Sequence, residues 1–237
     1  GVFDDATRTQ LGVGIVRNIQ GSLPVQAVLK GRGPDIATAE FEADLGPVTV
    51  VEPLIAWRKD PGIPATLAGN YTQADDGSIT LSGMSMSGQG VQLQGSAFFD
   101  PNGTMQHASV SRLLLANGTD LSGVAVRSPE DGIVRIDVNG PAFDARDFLD
   151  DLFADATPSE GDEVSDEVIL ANANVDRVTA HVGEVLTDVT ASLKMVGSRM
   201  QELSVDGVFE TGGELDIEMK PTTYGTRKVE ATSRNAG

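Results

Sequence analysis

Apolar and polar positions alternate at period two along residues 78–140. Val134, Ile136 and Val138 alternate with Arg135, Asp137 and Asn139, and Val91, Leu93, Ala97 and Phe99 interleave with Gln92, Gln94 and Ser96. Successive side chains of a strand point to opposite faces, so such runs predict strands with one apolar and one polar face. Five of them, SITLSGMSMS, VQLQGSAFFD, TMQHASVSRLLL, DLSGVAVR and IVRIDVNG, are separated by Gly88-Gln89-Gly90, Asp100-Pro101-Asn102-Gly103, Asn117-Gly118 and Pro129-Glu130-Asp131-Gly132. Asn-Gly and Asp-Gly steps between alternating runs are hairpin signals. The stretch predicts an antiparallel meander with one greasy face.

The flanks extend this pattern. Residues 10–16, 25–29, 48–51 and 65–72 are extended candidates, and 35–45, with Ile36, Ala39 and Phe41, fits a strand better than a short helix. Phe143, Phe148, Leu149, Leu152 and Phe153 recur at helical spacing and predict one short amphipathic helix over 147–153. Residues 154–167 are acidic, contain Pro158 and Gly161, and read as a solvated, mobile loop. A second meander begins at Val168, and in it Leu215, Ile217 and Met219 alternate with Asp216, Glu218 and Lys220. The expected organisation is a β-meander unit over 1–153 ending in the helix, an acidic loop over 154–167, and a second unit over 168–237 continuing the same sheet. The expected fold class is mainly β, a long twisted antiparallel meander sheet curled into a groove.

Composition narrows the function classes. Lys and Arg number 17 against 35 Asp and Glu, a formal net charge of −18. Phosphate binding is driven by basic side chains, so nucleic acid is not an expected partner, nor is an anionic membrane surface. There is no cysteine, hence no disulfide framework and no thiolate chemistry. Aromatics make up only 5% of the chain, so any core rests on aliphatic residues. No run of 18 apolar residues could span a bilayer as a helix. The chain opens on Gly1-Val2-Phe3 and closes on Asn235-Ala236-Gly237 just after a strand-like run, and we read it as a piece of a longer protein.

Motifs for chemistry are sparse. His107 and His181 stand far apart in strand-like segments, without metal-ligand spacing. Gly12-Val13-Gly14 and Gly88-Gln89-Gly90 lack the third glycine of a dinucleotide loop, and Gly83-Met84-Ser85-Met86-Ser87 lacks the second glycine of a nucleophile elbow. Asp100-Pro101-Asn102-Gly103 and Asp75-Asp76-Gly77 read as β-turns rather than calcium loops. Asn70, Asn102 and Asn117 begin N-x-Thr sequons, two of them inside Asn-Gly turns. No pair of carboxylates is singled out for glycoside hydrolysis. We therefore expect no catalytic, cofactor-binding or metal-binding residue, no cofactor and no enzymatic activity.

The segment Trp57-Arg58-Lys59-Asp60-Pro61-Gly62-Ile63-Pro64-Ala65 resembles the AsmA-like, YhdP-type proteins of Gram-negative envelopes. The order that follows is similar too. Asp76-Gly77 leads to Gly90-Val91-Gln92-Leu93-Gln94-Gly95, then Leu113-Leu114-Leu115-Ala116-Asn117-Gly118, then Asp131-Gly132-Ile133-Val134-Arg135-Ile136 and Phe143-Asp144-Ala145-Arg146. One departure is Asp60, which stands between the lysine and the proline.

The resemblance implies a repeating β-groove molecule anchored in the inner membrane and crossing the periplasm. It implies transport of phospholipid between the two membranes along an apolar channel. The expected partners are phospholipid acyl chains and flanking segments of the same longer chain, with the membrane anchor outside this piece. On that reading the lipid-facing residues are Val91, Leu93, Val134, Ile136, Val138, Leu215, Ile217 and Met219. Three alternatives stay open. The apolar face could be filled by the helix and the N-terminal segments as a closed core. The chain could be a scaffold or assembly factor for outer-membrane proteins acting through sheet edges. A carbohydrate-active or adhesive β protein would need aromatic platforms, and the chain has one Trp and two Tyr.

Overall fold

Two aspartates show how the strands are turned. Asp76 Oδ1 accepts from the Ser78 N–H at 2.9 Å and from Ser78 Oγ at 2.7 Å. Asp100 Oδ1 accepts from the N–H groups of Asn102 and Thr104, both at 2.9 Å. These side chains hold the backbone in local turns. Gly77 and Gly103 complete them at φ of 88° and 80°, where an L side chain would be strained. Both aspartates therefore serve the turns, as their sequence context predicts.

The computed structural model describes residues 1–3, 18–32, 35–52, 55–153, 166–197, 199–222 and 226–234. The extended candidate at 10–16 and nearly all of the acidic segment 154–167 lie outside them. The chain is mainly β, with one short α-helix among the described residues. It divides into two compact units, Gly1–Asn117 and Gly118–Gly237.

The first unit holds β1 (Val2–Phe3), β2 (Ile19–Gln20), β3 (Leu23–Arg32), β4 (Asp35–Asp44), β5 (Thr49–Glu52), β6 (Trp57–Lys59), β7 (Ala65–Gln73), β8 (Ile79–Gly88), β9 (Val91–Phe99) and β10 (Met105–Leu115). The segment 35–45, open to two readings in the sequence, is strand β4. The main sheet runs β1-β3-β4-β7-β8-β9-β10 with every pairing antiparallel. A small sheet, β2-β5-β6, closes over one end of its apolar face. Ile19, Val48 and Val50 there join Ala43, Leu45, Ala65, Val91 and Leu115 in one buried cluster, with Trp57 packed against it. Leu45 and Val48 are wholly buried, each worth about 1.5–3 kcal/mol of transfer free energy. A second cluster gathers Leu81, Ala97 and Phe99 under Tyr71, Ile79 and Met105.

The second unit holds β11 (Asp120–Arg127), β12 (Val134–Asp144), α1 (Arg146–Phe153), β13 (Val168–Thr179), β14 (Val185–Val196), β15 (Arg199–Phe209), β16 (Glu214–Pro221) and β17 (Arg227–Arg234). The order is β11-β12-β13-β14-β15-β16-β17. One join departs from the expected antiparallel meander. Strands β12 and β13 pair in parallel, from Val134 beside Ile169 to Asp144 beside Thr179. Parallel neighbours cannot be linked by a tight hairpin and need a crossover. Residues 145–167, including α1, supply it. This pairing also explains why the chain does not divide at 154–167, as the sequence suggests. Hydrogen bonds across β12 and β13 tie the two sides of that segment into one sheet, and the division falls at Asn117 instead.

The start of α1 is fixed by Asp144. Its carboxylate accepts from the Arg146 N–H at 3.2 Å, from Arg146 Nε at 2.8 Å and from Arg146 Nη2 at 2.5 Å. A carboxylate at a helix N-terminus also meets the positive end of the helix dipole. Asp144 donates its own N–H to Thr119 Oγ1 at 3.1 Å. Phe148 of α1 then meets Phe143 edge-to-face, with ring centroids 6.3 Å apart.

Candidate functional site: the apolar face

Residues directly opposite each other on neighbouring strands share a face. Following the registers across the second unit therefore traces rows. One row runs Ile136, Ala171, Leu193, Leu203, Met219, Val229 across six strands. The next runs Val138, Ala173, Ala191, Val205, Ile217, Ala231. Each is aliphatic from β12 to β17. Most members are half-buried, and Val229 on the last strand is 48% exposed. Toward α1 a third row links Phe143, Val178, Leu186 and Phe209, and here Phe148 packs on Phe143.

The opposite face is polar in the same registers. Asp137 stands beside Asn172, whose Nδ2 donates to Asp137 Oδ1 at 3.3 Å. Asn139 stands beside Asn174, and Lys194 bonds Glu202 at 3.2 Å. Asp206 lies opposite Asp216. Desolvation, together with the charges of Asp206 and Glu218, raises the Asp216 carboxyl above the usual range.

The first unit carries a corresponding row of its own: Val25, Ala43, Leu67, Met86, Leu93, Leu113. Its Ala43 is buried in the cluster closed by the small sheet. Beside it, Met84 Sδ lies over Gly69, where a Cβ would come within 2.3 Å of the sulfur. Residues of β3, β4 and β7 with Gly83 line one open depression of about 460 Å³.

The eight residues expected to face lipid divide accordingly. Ile136 and Met219 share one row, Val138 and Ile217 the next, and Leu215 lies on the same face of β16, two residues before Ile217 and opposite Gly207. Leu93 is half-buried in the first unit. Val91, Val134 and Met219 are only 3%, 3% and 4% exposed. Val91 belongs to the closed cluster with Ala65 and Leu115, so it is a packing residue. Alternation assigns a residue to a face but does not say what covers that face. Sequence reasoning missed Ala171, Ala173, Leu193, Leu203 and Val205. The run Ala171-Asn172-Ala173-Asn174 carried a period-two signal for the first two.

The histidines take separate places. His107 is exposed on β10, and His181 Nε2 lies 3.2 Å from Asp150 Oδ1 at the turn after β13. Among the described residues no group of three His, Cys, Asp or Glu is placed to hold a metal ion.

Fold and face together define a mainly β protein whose distinguishing surface is an aliphatic sheet face crossed by registered rows. No family model matches the chain, and neither a curated protein nor a solved structure matches it.

Proposed function

We propose that the chain is a non-enzymatic conduit for phospholipid, with acyl chains lying along the apolar face. The observation that carries this reading is the pair of aliphatic rows from β12 to β17, half-buried rather than sealed. Each methylene moved from water onto such a surface contributes about 0.8 kcal/mol. A row of aliphatic side chains offers no polar group to fix a lipid in one position, so a tail bound there is free to advance. The path runs over Ile136, Val138, Leu203, Leu215 and Ile217 rather than over buried Val91 and Val134.

The resemblance to AsmA-like proteins supports the same reading. It sets the work in a Gram-negative envelope, within a longer chain anchored in the inner membrane. No described helix is long and apolar enough to cross a membrane.

The test is photo-crosslinking. A photoreactive residue replaces Ile136 in one variant and Arg135 in another, and each is irradiated with vesicles of labelled phosphatidylethanolamine and phosphatidylglycerol. Adducts at 136 and none at 135 are expected. Equal labelling at both positions, or none at 136, would overturn the proposal.

A further inference from the structure

The six methionines of the chain share a placement: each lies on the apolar face of its unit. Met86 belongs to the aliphatic row of the first unit, and Met84, two residues before it on β8, shares its face. Met84 and Met105 pack on the cluster of Leu81, Ala97 and Phe99. Met219 lies in the row of Ile136 and is only 4% exposed.

The remaining two stand opposite each other. The registers set Val134 beside Ile169, Ile169 opposite Met195, and Met195 opposite Met200. A register shift between Lys194 and Met195 brings Met200 onto this face, although it stands three residues before Leu203. The pair therefore extends the apolar face by one row beyond Leu193 and Leu203, about 7 Å along the strands. Both residues are half-buried, at the end where β14 turns through Gly197 into β15. A thioether is apolar and flexible, which suits a surface over which hydrocarbon passes. Among the aliphatic, aromatic and thioether side chains of these rows, it is also the group that a mild oxidant turns polar.

We infer that Met195 and Met200 form an oxidation site that closes the apolar face to acyl chains. The inference rests on the conduit reading above and adds its regulation. The oxidant is a peroxide. Its O–O bond breaks, one oxygen atom passes to the thioether sulfur, and the sulfur gives up two electrons and becomes a sulfoxide; hydrogen peroxide leaves as water. The new S=O oxygen is a hydrogen-bond acceptor, and the side chains of Val134, Ile169, Met195 and Met200 offer it no donor. It therefore holds water. A tail crossing Leu193 and Leu203 must displace that water without replacing its hydrogen bonds, which opposes binding. Two sulfoxides opposite each other place this obstacle on both β14 and β15. Met219, in the neighbouring row, is shielded by its burial.

The full chain carrying a photoreactive residue at 136 tests this. It is treated with hydrogen peroxide, and irradiated with vesicles of labelled phosphatidylethanolamine and phosphatidylglycerol. Peptide masses should show one added oxygen at Met195 and at Met200 before any at Met219. Labelling at 136 should fall about tenfold. Methionine sulfoxide reductase should restore it. The variant M195L/M200L keeps the apolar row and should label equally with and without peroxide, which isolates this pair from the other four methionines. Unchanged labelling once both are oxidised, an equal fall in M195L/M200L, or oxidation of Met219 ahead of the pair would overturn the inference. Absence of labelling in the untreated chain would instead overturn the conduit reading, and the oxidation site would then stand or fall on the peptide masses.

Discussion

Asp206 on β15 and Asp216 on β16 stand directly opposite each other on the polar face. Desolvation, the Asp206 charge and that of Glu218 hold the Asp216 carboxyl above its usual range. An acid whose folded value is raised destabilises the fold once it is ionised. The penalty is fully present above the raised value and disappears as pH falls below the unfolded one. Asp216→Asn should therefore raise the melting temperature by about 1–3 °C at pH 7. Near pH 3 the gain should vanish, and melts at the two pH values check both statements.

Asp144 has the opposite sign. The Arg146 guanidinium bonded to it, and the Arg146 N–H, hold its carboxyl below the usual carboxylate range. Its contribution is complete above the unfolded value and is lost as pH falls through the lowered folded value. The side chain is 6% exposed, so truncation strands its partners at the start of α1. Asp144→Ala should cost about 2 kcal/mol at pH 7, read from the urea midpoint, with a smaller loss in acid.

Gly140 and Gly69 should respond differently to alanine. A Cβ at Gly140 would sit 2.2 Å from the Asp120 carbonyl oxygen and 2.9 Å from Leu121 Cα, both backbone atoms in the paired strand. At Gly69 the nearest obstacle, at 2.3 Å, is the flexible thioether of Met84. Gly140→Ala should cost about 2–3 kcal/mol and Gly69→Ala less than about 1.5. Equal losses in denaturant titrations would contradict this.

Lys59 is 2% exposed and donates to Val48 O at 2.9 Å and Asp60 O at 3.0 Å. Burial lowers its pKa although Asp44 and Asp60 oppose the shift. A base so shifted penalises the fold while charged, and the penalty fades as pH rises through the lowered folded value. Lys59→Met keeps the packing and removes the buried charge, so it should stay within about 1 kcal/mol of the parent. Lys59→Ala leaves a cavity under the small sheet and should cost about 2–3 kcal/mol. Thermal melts of the two variants separate packing from charge.

Individual strands were legible because alternation is local. Val134, Ile136 and Val138 declare an apolar face without reference to any partner, and Asn-Gly and Asp-Gly steps locate the turns. The helix was legible from Phe148 and Leu149 at helical spacing after Phe143. Pairing was less so. Nothing in 145–167 says that the chain returns parallel to β12, because a solvated acidic run is compatible with either direction. The closing of the first unit was hidden for a related reason. Val91 alternates as cleanly as Ile136, but only the fold brings Ile19, Val48 and Val50 over it. The rows from β12 to β17 needed registers, which no single strand contains.

The parallel join between β12 and β13 bears on the order of assembly. Every other neighbouring pair in the second unit is consecutive along the chain and closed by a short turn, so its ends are never far apart while it forms. The β12–β13 pair must first bring residue 134 to residue 169, and its alignment is not dictated by a turn. A slip of two residues would preserve the aliphatic alternation, leaving the Asp137–Asn172 and Asn139–Asn174 contacts to oppose it. Loop closure over such a span makes this the slowest contact to nucleate. The hairpins on either side should zip early as separate pieces. In pulse-labelled hydrogen exchange during refolding, amides at the β12–β13 seam should then gain protection after those of β14–β16, so the seam would set the refolding time of the unit.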